Sequence, residues 1–212
     1  MPDIIRAFVA VKLPEPLTVL VSEVQQKLKA RGLHIAWAAP GNVHLTLKFL
    51  GDIESTDIDP IADVMNACAQ SMAPLTVAAR GIGVFPDLRR PRVVWLGITG
   101  DMPQLIAFQK DLDVGLTALG KGRFKPEDRP FKGHLTLGRI KAGLNSGILV
   151  KALRETGRVE SLAFTVDAIH LIQSRLTSSG SIYTPLRCAV LGSPASGLCQ
   201  NNAIQLTNKE GT

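Results

Sequence analysis

The tetrapeptide His-Leu-Thr-Leu occurs twice in this chain, at His44-Leu45-Thr46-Leu47 and, ninety positions on, at His134-Leu135-Thr136-Leu137. Side chains two apart on a β-strand point to the same face. Each copy therefore offers an imidazole and a hydroxyl on one side and two leucines on the other. Imidazole titrates near neutral pH, so of two such rings one can be a neutral base while the other is a protonated acid. Set on opposite sides of a phosphorus, the pair would activate a nucleophile and protonate the departing oxygen, each transfer contributing about 10²–10⁴-fold. Thr46 and Thr136 can donate hydrogen bonds to non-bridging oxygens, where charge grows in the transition state. Arg139, and less directly Lys132 and Arg129, would add to that field. The pattern suggests acid–base phosphoryl chemistry without a metal.

Ordinary readings compete with this one. A single histidine on a strand is more often a packed or surface residue than a catalyst, and that reading is applied to His34 and His170, which have no repeated context. A zinc site needs a third ligand at a recognisable spacing. Asp52 and Glu54 follow the first motif, but the second half has no acidic counterpart, so no metal is expected. The absence of a G-x-x-x-x-G-K-[ST] string disfavours an ATP-driven reaction, and no cofactor is expected. Cys68, Cys188 and Cys199 show no C-x-x-C spacing and are expected as free thiols in a reducing compartment. No apolar run nears the ~20 residues that span a bilayer, and Asp3 stands where a signal peptide would be basic. These features point to a cytoplasmic protein with no membrane partner.

The net charge of +6 is concentrated. Lys121, Arg123, Lys125, Arg129, Lys132, Arg139 and Lys141 flank the second motif against only Glu127 and Asp128, and Arg89, Arg90 and Arg92 form a smaller cluster. The expectation is an electropositive mouth for a phosphate-bearing partner.

The elements that must hold the motifs follow from periodicity. Residues 4–12 read as a strand and 16–31 as a helix stopped by Gly32. A short strand at 35–38, a turn at 40–42 and the first motif strand at 43–50, ended by Gly51, come next. A helix at 58–72 and a strand at 75–84 complete this half. The order then repeats: strand 93–99, helix 102–119, a basic loop at 120–133, the second motif strand through Ile140, helix 147–156 and strand 159–166. A hairpin at 169–191 closes the domain, and 193–212 reads as a flexible tail. Pseudo-repeats at about 4–84 and 93–166 imply one bilobal domain over 1–192. If a pseudo-twofold axis relates the lobes, the motif strands line a shared cleft where His44 and His134 converge. One chain then supplies both halves of the site, so a monomer is expected.

These strings resemble the 2H phosphoesterases, and among them the RNA 2′,3′-cyclic phosphodiesterases, also labelled 2′–5′ RNA ligases. The resemblance runs through Arg6-Ala7-Phe8-Val9-Ala10, Trp37, and Asn42-Val43 leading into the first motif and Lys48-Phe49-Leu50-Gly51. It continues through Phe85-Pro86, Arg92-Val93-Val94-Trp95-Leu96-Gly97, Arg129-Pro130-Phe131, Gly138-Arg139 and the hairpin from Ser174 to Tyr183. It implies an α+β fold with an antiparallel sheet in each lobe around a central cleft and helices outside. It also implies hydrolysis of an RNA or ribonucleoside 2′,3′-cyclic phosphate to the 2′-phosphate. On that resemblance His44 is the proton donor to the 3′-oxygen and His134 the acceptor from water. Thr46, Thr136 and Arg139 match phosphate-holding residues, and Phe49 matches a residue that packs on the nucleobase. Phe49 and Arg139 each lie five residues past their histidine, so simple alternation would turn them away, and a twist or bulge must re-aim them. One departure is Gly133, where relatives commonly have proline. The other readings are ATP-independent 2′–5′ RNA ligation (the same chemistry in reverse), non-catalytic binding of RNA ends, and hydrolysis of a different cyclic phosphate such as an ADP-ribose derivative.

Overall fold

The computed structural model describes residues 2–140, 144, 146–156, 159–178 and 180–193. Among them are four α-helices and nine strands. In chain order these are β1 (Ile4–Lys12), α1 (Glu15–Ala30), β2 (Ala36–Trp37), β3 (His44–Glu54), α2 (Ile58–Gln70), β4 (Leu75–Phe85), β5 (Val93–Gly100), α3 (Met102–Leu119), β6 (His134–Arg139), α4 (Ser146–Thr156), β7 (Leu162–Val166), β8 (Ala168–Thr177) and β9 (Gly180–Val190). The tail expected over 193–212 lies, beyond its first residue, outside the described residues, as do Lys141 and Cys199.

The strands form one sheet in the order β7-β4-β5-β6-β3-β1-β8-β9, with β2 added to β6, and every pairing is antiparallel. The duplication is visible in this order. β1 sits between β3 and β8, and β5 sits between β6 and β4. The last strand of the first repeat, β4, therefore lies beside β5 in the second half-sheet, and the closing hairpin β8–β9 completes the first. The half-sheets meet where the motif strands β3 and β6 pair, through Leu45 opposite Leu135.

Alternation decides what each face buries. Leu45, Leu47, Leu135 and Leu137 belong to the main core with Val9, Val11, Val94 and Leu96. The same core takes Leu17, Val21, Val24 and Leu28 of α1, Ile61 and Met65 of α2, and Leu105, Phe108, Leu112 and Leu116 of α3. Each such leucine, fully buried, contributes about 1.5–3 kcal/mol. A separate small cluster of Phe8, Ala10 and Ile172, with Tyr183 packed against it, forms under His44. Gly32 ends α1 at φ +77° while the Leu33 N–H bonds back to the Leu28 carbonyl, the left-handed stop its position predicts.

Two expectations change. Gly51 does not end the first motif strand: at φ +75° it opens a bulge opposite Ala7, and β3 continues to Glu54. Cys68 is a free thiol as expected, but Cys188 is disulfide-bonded. No described helix is long and apolar enough to cross a membrane.

Candidate active site

The two motifs share one backbone irregularity at the same place. In the β1–β3 ladder Ala10 faces Thr46 and Val9 faces Lys48, so Leu47 has no opposite residue. In the β5–β6 ladder Trp95 faces Thr136 and Val94 faces Gly138, which leaves out Leu137. A bulge inserts one residue and so shifts the alternation beyond it. Burial follows the shift: Leu47 and Lys48 are consecutive buried residues, as are Leu137 and Gly138, and Phe49 and Arg139 emerge exposed. Phe49, 60 % exposed, is thereby returned to the side of His44 and Thr46, and Arg139 to that of Thr136.

His44, Thr46, Phe49, Thr136 and Arg139 line a common cleft of about 760 Å³, together with Lys29, Trp37, Asn42 and Tyr183. The Leu45–Leu135 pairing places His44 alongside Thr136 and Thr46 alongside His134, because antiparallel neighbours run in opposite order. The hydroxyls and imidazoles are thus interleaved across the junction rather than grouped by motif.

Each ring is held in the same way. His44 Nδ1 lies 2.8 Å from the Asn42 carbonyl and His134 Nδ1 2.6 Å from the Lys132 carbonyl, in both cases two residues upstream. A carbonyl only accepts, so Nδ1 carries the hydrogen in both rings, and Nε2 is the nitrogen left to exchange a proton. Asn42 is itself tied down, its side-chain amide donating to the Ser181 carbonyl of β9 at 2.8 Å. Phe8 stacks on His44 at 4.6 Å, and Tyr183 meets it edge-on at 5.3 Å. Phe85 meets His134 edge-on at 4.9 Å and packs on Trp95 at 5.0 Å. Burial pushes the His44 imidazole below its ordinary pKa; the Asn42 carbonyl opposes this, and the charge of His134 adds to the lowering.

Several residues that support the candidate site were given no role by the sequence. The carbonyls of Asn42 and Lys132 carry no side-chain signal, and the aromatic neighbours Tyr183 and Phe85 come from strands distant in sequence. Lys48 is the clearest omission. It is fully buried beside the first bulge, its ammonium bonded to the Asp113 carboxylate and to the Lys125 carbonyl. Asp113 also accepts from the Glu127 N–H at 3.2 Å, so this pair fastens the basic loop to α3 and β3. At the matching place after the second bulge stands Gly138. A Cβ there would come within 3.0 Å of the Ala36 carbonyl and 3.2 Å of the Trp37 ring, so glycine is what lets β2 cross.

The basic loop contributes less free charge than its composition suggests. Arg123 makes two bonds to the Asp57 carboxylate, at 2.9 and 2.8 Å, and holds that acid below its usual pKa. Arg129 and Lys132 are exposed but do not line the cleft, whereas Arg139 does. Gly133 has no left-handed backbone; its carbonyl accepts from the Ile98 N–H at 3.3 Å, which already holds the approach to β6. His34 is exposed, and His170 is half-buried on β8 with its pKa lowered to about 4 by burial and then by Lys12. Among the described residues no three His, Cys, Asp or Glu side chains gather as a metal-binding group.

Comparison with known proteins also shows the duplication and the family. The chain matches the LigT-like phosphoesterase family twice, over residues 11–95 and 99–183, one match for each repeat. It is 37 % identical over 183 residues to the RNA 2′,3′-cyclic phosphodiesterase of Methanothermobacter thermautotrophicus, covering 86 % of this chain and 96 % of that one. It is 32 % identical to the enzyme of that name from Aquifex aeolicus, over 89 % of this chain and 98 % of the relative. A crystal structure from Thermus thermophilus superposes with a TM-score of 0.73 at 28 % identity, over 89 % of this chain and 98 % of that one.

Proposed function

From the premise that the chain belongs to the LigT-like phosphoesterase family, we propose that His44 and His134 are the acid and base of a cyclic phosphodiesterase. The chain is a hydrolase of RNA 2′,3′-cyclic phosphate, in keeping with curated relatives at up to 37 % identity. The observation that supports the two-histidine reading best is the matched pair of Nδ1–carbonyl bonds, which leaves Nε2 of each ring for proton transfer.

In this mechanism the cyclic phosphate enters the cleft, its non-bridging oxygens meeting Thr46, Thr136 and Arg139, while Phe49 lies against the base. His134 Nε2 takes a proton from water as the water oxygen bonds to phosphorus. The bond from phosphorus to the 3′-oxygen breaks, and His44 Nε2–H protonates that oxygen. A 2′-phosphomonoester and a free 3′-hydroxyl result. His44 must carry a proton that burial disfavours, so the anionic phosphate beside it supplies the missing stabilisation. Interleaving the hydroxyls and imidazoles suits this, since each threonine reaches the phosphorus beside the other motif's histidine. Both motifs lie in one chain, which supports action as a monomer, and the RNA-end substrate supports a cytoplasmic location.

The test is incubation with a nucleoside 2′,3′-cyclic phosphate in EDTA, with identification of the product regioisomer. The 2′-phosphate is expected; no turnover of cyclic nucleotides or short cyclic-ended RNAs contradicts the reading. Running the reaction with a 5′-hydroxyl RNA in place of water measures the ligation alternative directly.

A further inference from the structure

Among the described residues, the buried polar residues besides Lys48 are Gln25 and Gln109, 2 % and 6 % exposed. Gln25 lies on α1 of the first repeat, and its Nε2 donates to the Leu137 carbonyl at 2.9 Å and to the Ala38 carbonyl at 2.8 Å. Gln109 lies on α3 of the second repeat, and its Nε2 donates to the Leu47 carbonyl at 3.2 Å. Leu47 and Leu137 are the two bulged residues. Each glutamine thus reaches across to the bulge of the opposite motif.

We propose that Gln25 and Gln109 are reciprocal positioning residues, each helix holding the bulge that aims the phosphate or base contact of the other repeat. The physical need is plain. A bulged residue falls out of the ladder, and a buried carbonyl without a donor is costly. Leu137 and Leu47 are both buried, so water does not serve them. Gln109 donates to the Leu47 carbonyl. Gln25 joins the Ala38 N–H, 3.0 Å away, as a second donor to the Leu137 carbonyl while also bonding the Ala38 carbonyl, which ties the bulge to the segment after β2. With the bulge held, Arg139 stays beside Thr136, and Phe49 beside Thr46. If the bulge relaxes, those two side chains swing toward the wrong face while both histidines, upstream of it, keep their places. Gln25 borders the cleft, but both its amide hydrogens are already taken by carbonyls. The crossed pattern also explains how duplicated halves stay in register, since neither motif is completed by its own repeat.

This rests on the reading of the site given above, and the experiment separates the two. Gln25→Met and Gln109→Met preserve side-chain length and remove the donor. Each is combined with Arg139→Ala and with Phe49→Ala, and kcat/KM is measured on a nucleoside 2′,3′-cyclic phosphate. Each single glutamine variant should lose about tenfold or more. The cycles should be crossed: Gln25→Met non-additive with Arg139→Ala and additive, within about twofold, with Phe49→Ala. Gln109→Met should do the reverse. A purely structural role lowers thermal stability but gives additive cycles throughout, and that result overturns the proposal, as does coupling of each glutamine to its own repeat's motif. If the wild type does not turn over, the functional reading fails, and the same cycles are judged by calorimetric binding of a nucleoside 2′-monophosphate. If a methionine variant does not fold, Gln→Glu replaces it. A neutral carboxyl can donate to the carbonyl and an ionised one cannot, so its loss should deepen as pH rises, and a pH-independent loss counts against the brace.

Discussion

Leu45 lies opposite Leu135, and that pairing is where the two half-sheets join. Because the two leucines face the helix core, the residues on either side of each lie on the other face. His44, Thr46 and Thr136 line the cleft, and His134, alongside Thr46 by the same pairing, lies on that face without lining it. The candidate site is therefore a consequence of where the sheet is stitched, and a single register shift at this junction would separate the quartet.

Arg139 is the cationic side chain that the second bulge delivers into the cleft. Arg139→Ala is expected to raise KM more than it lowers kcat, with KM up by about tenfold. It should also reduce the slope of log affinity against log salt for an RNA end by about one. An unchanged salt slope would remove Arg139 from the phosphate.

The pH profile should carry the mark of His44. Its proton affinity is lowered by burial in the free protein, and the role of acid requires the protonated form. Activity as kcat/KM must therefore fall as pH rises through that depressed value, which puts the alkaline limb below the ordinary imidazole range. A bound phosphate anion raises the proton affinity, so the alkaline limb of kcat should lie at higher pH than that of kcat/KM. Coincident limbs would contradict an acid at this position.

His170 gives a separate pH dependence, in stability. Its pKa is about 4 in the folded protein against the ordinary 6.5, so the unfolded chain binds the extra proton between those values. Stability should be full above pH 6.5, fall as pH drops toward 4 and level off below. The loss is at most about 3 kcal/mol, and less in practice because the ring is half-exposed. Denaturant titrations of the wild type and His170→Gln at pH 7 and pH 4.5 measure it; His170→Gln should show the smaller loss. An equal loss in both proteins would assign the effect elsewhere.

Lys48 is fully buried and its partner Asp113 is 14 % exposed, so removing the carboxylate strands a buried ammonium. Asp113→Ala should cost about 3–5 kcal/mol and loosen the loop that it holds through Glu127. Lys48→Met with Asp113→Leu together should recover most of that loss. The check is chemical denaturation together with proteolysis of the 120–133 loop; a double variant no better than the single would show that the pair's worth lies beyond the stranded charge.

The sequence was informative wherever period and repetition carry the signal. The tetrapeptide repeat marked the face shared by His44, Thr46, His134 and Thr136, and the need for a bulge could be inferred from the five-residue step to Phe49 and Arg139. The position of the bulge could not, because Leu47 and Leu137 look like ordinary core leucines. The exchange of β4 for the β8–β9 hairpin was also hidden, since a repeat in sequence does not say which half-sheet its last strand will join. Gln25, Gln109 and Lys48 sit at helix and strand positions that composition assigns to the surface, and only tertiary packing buries them. Charge counting overstated the basic loop, because Arg123 is spent on Asp57 and the loop is fastened through its own backbone.

The most direct test of the account is turnover of a nucleoside 2′,3′-cyclic phosphate by His44→Ala, His134→Ala and the double variant, with binding of the 2′-nucleotide product measured alongside. Each single variant should lose at least ~10²-fold in kcat while binding largely survives, and the double variant should be little worse than the poorer single, as for residues that act as a unit. Turnover near the wild-type rate in either single variant would contradict the acid–base pair.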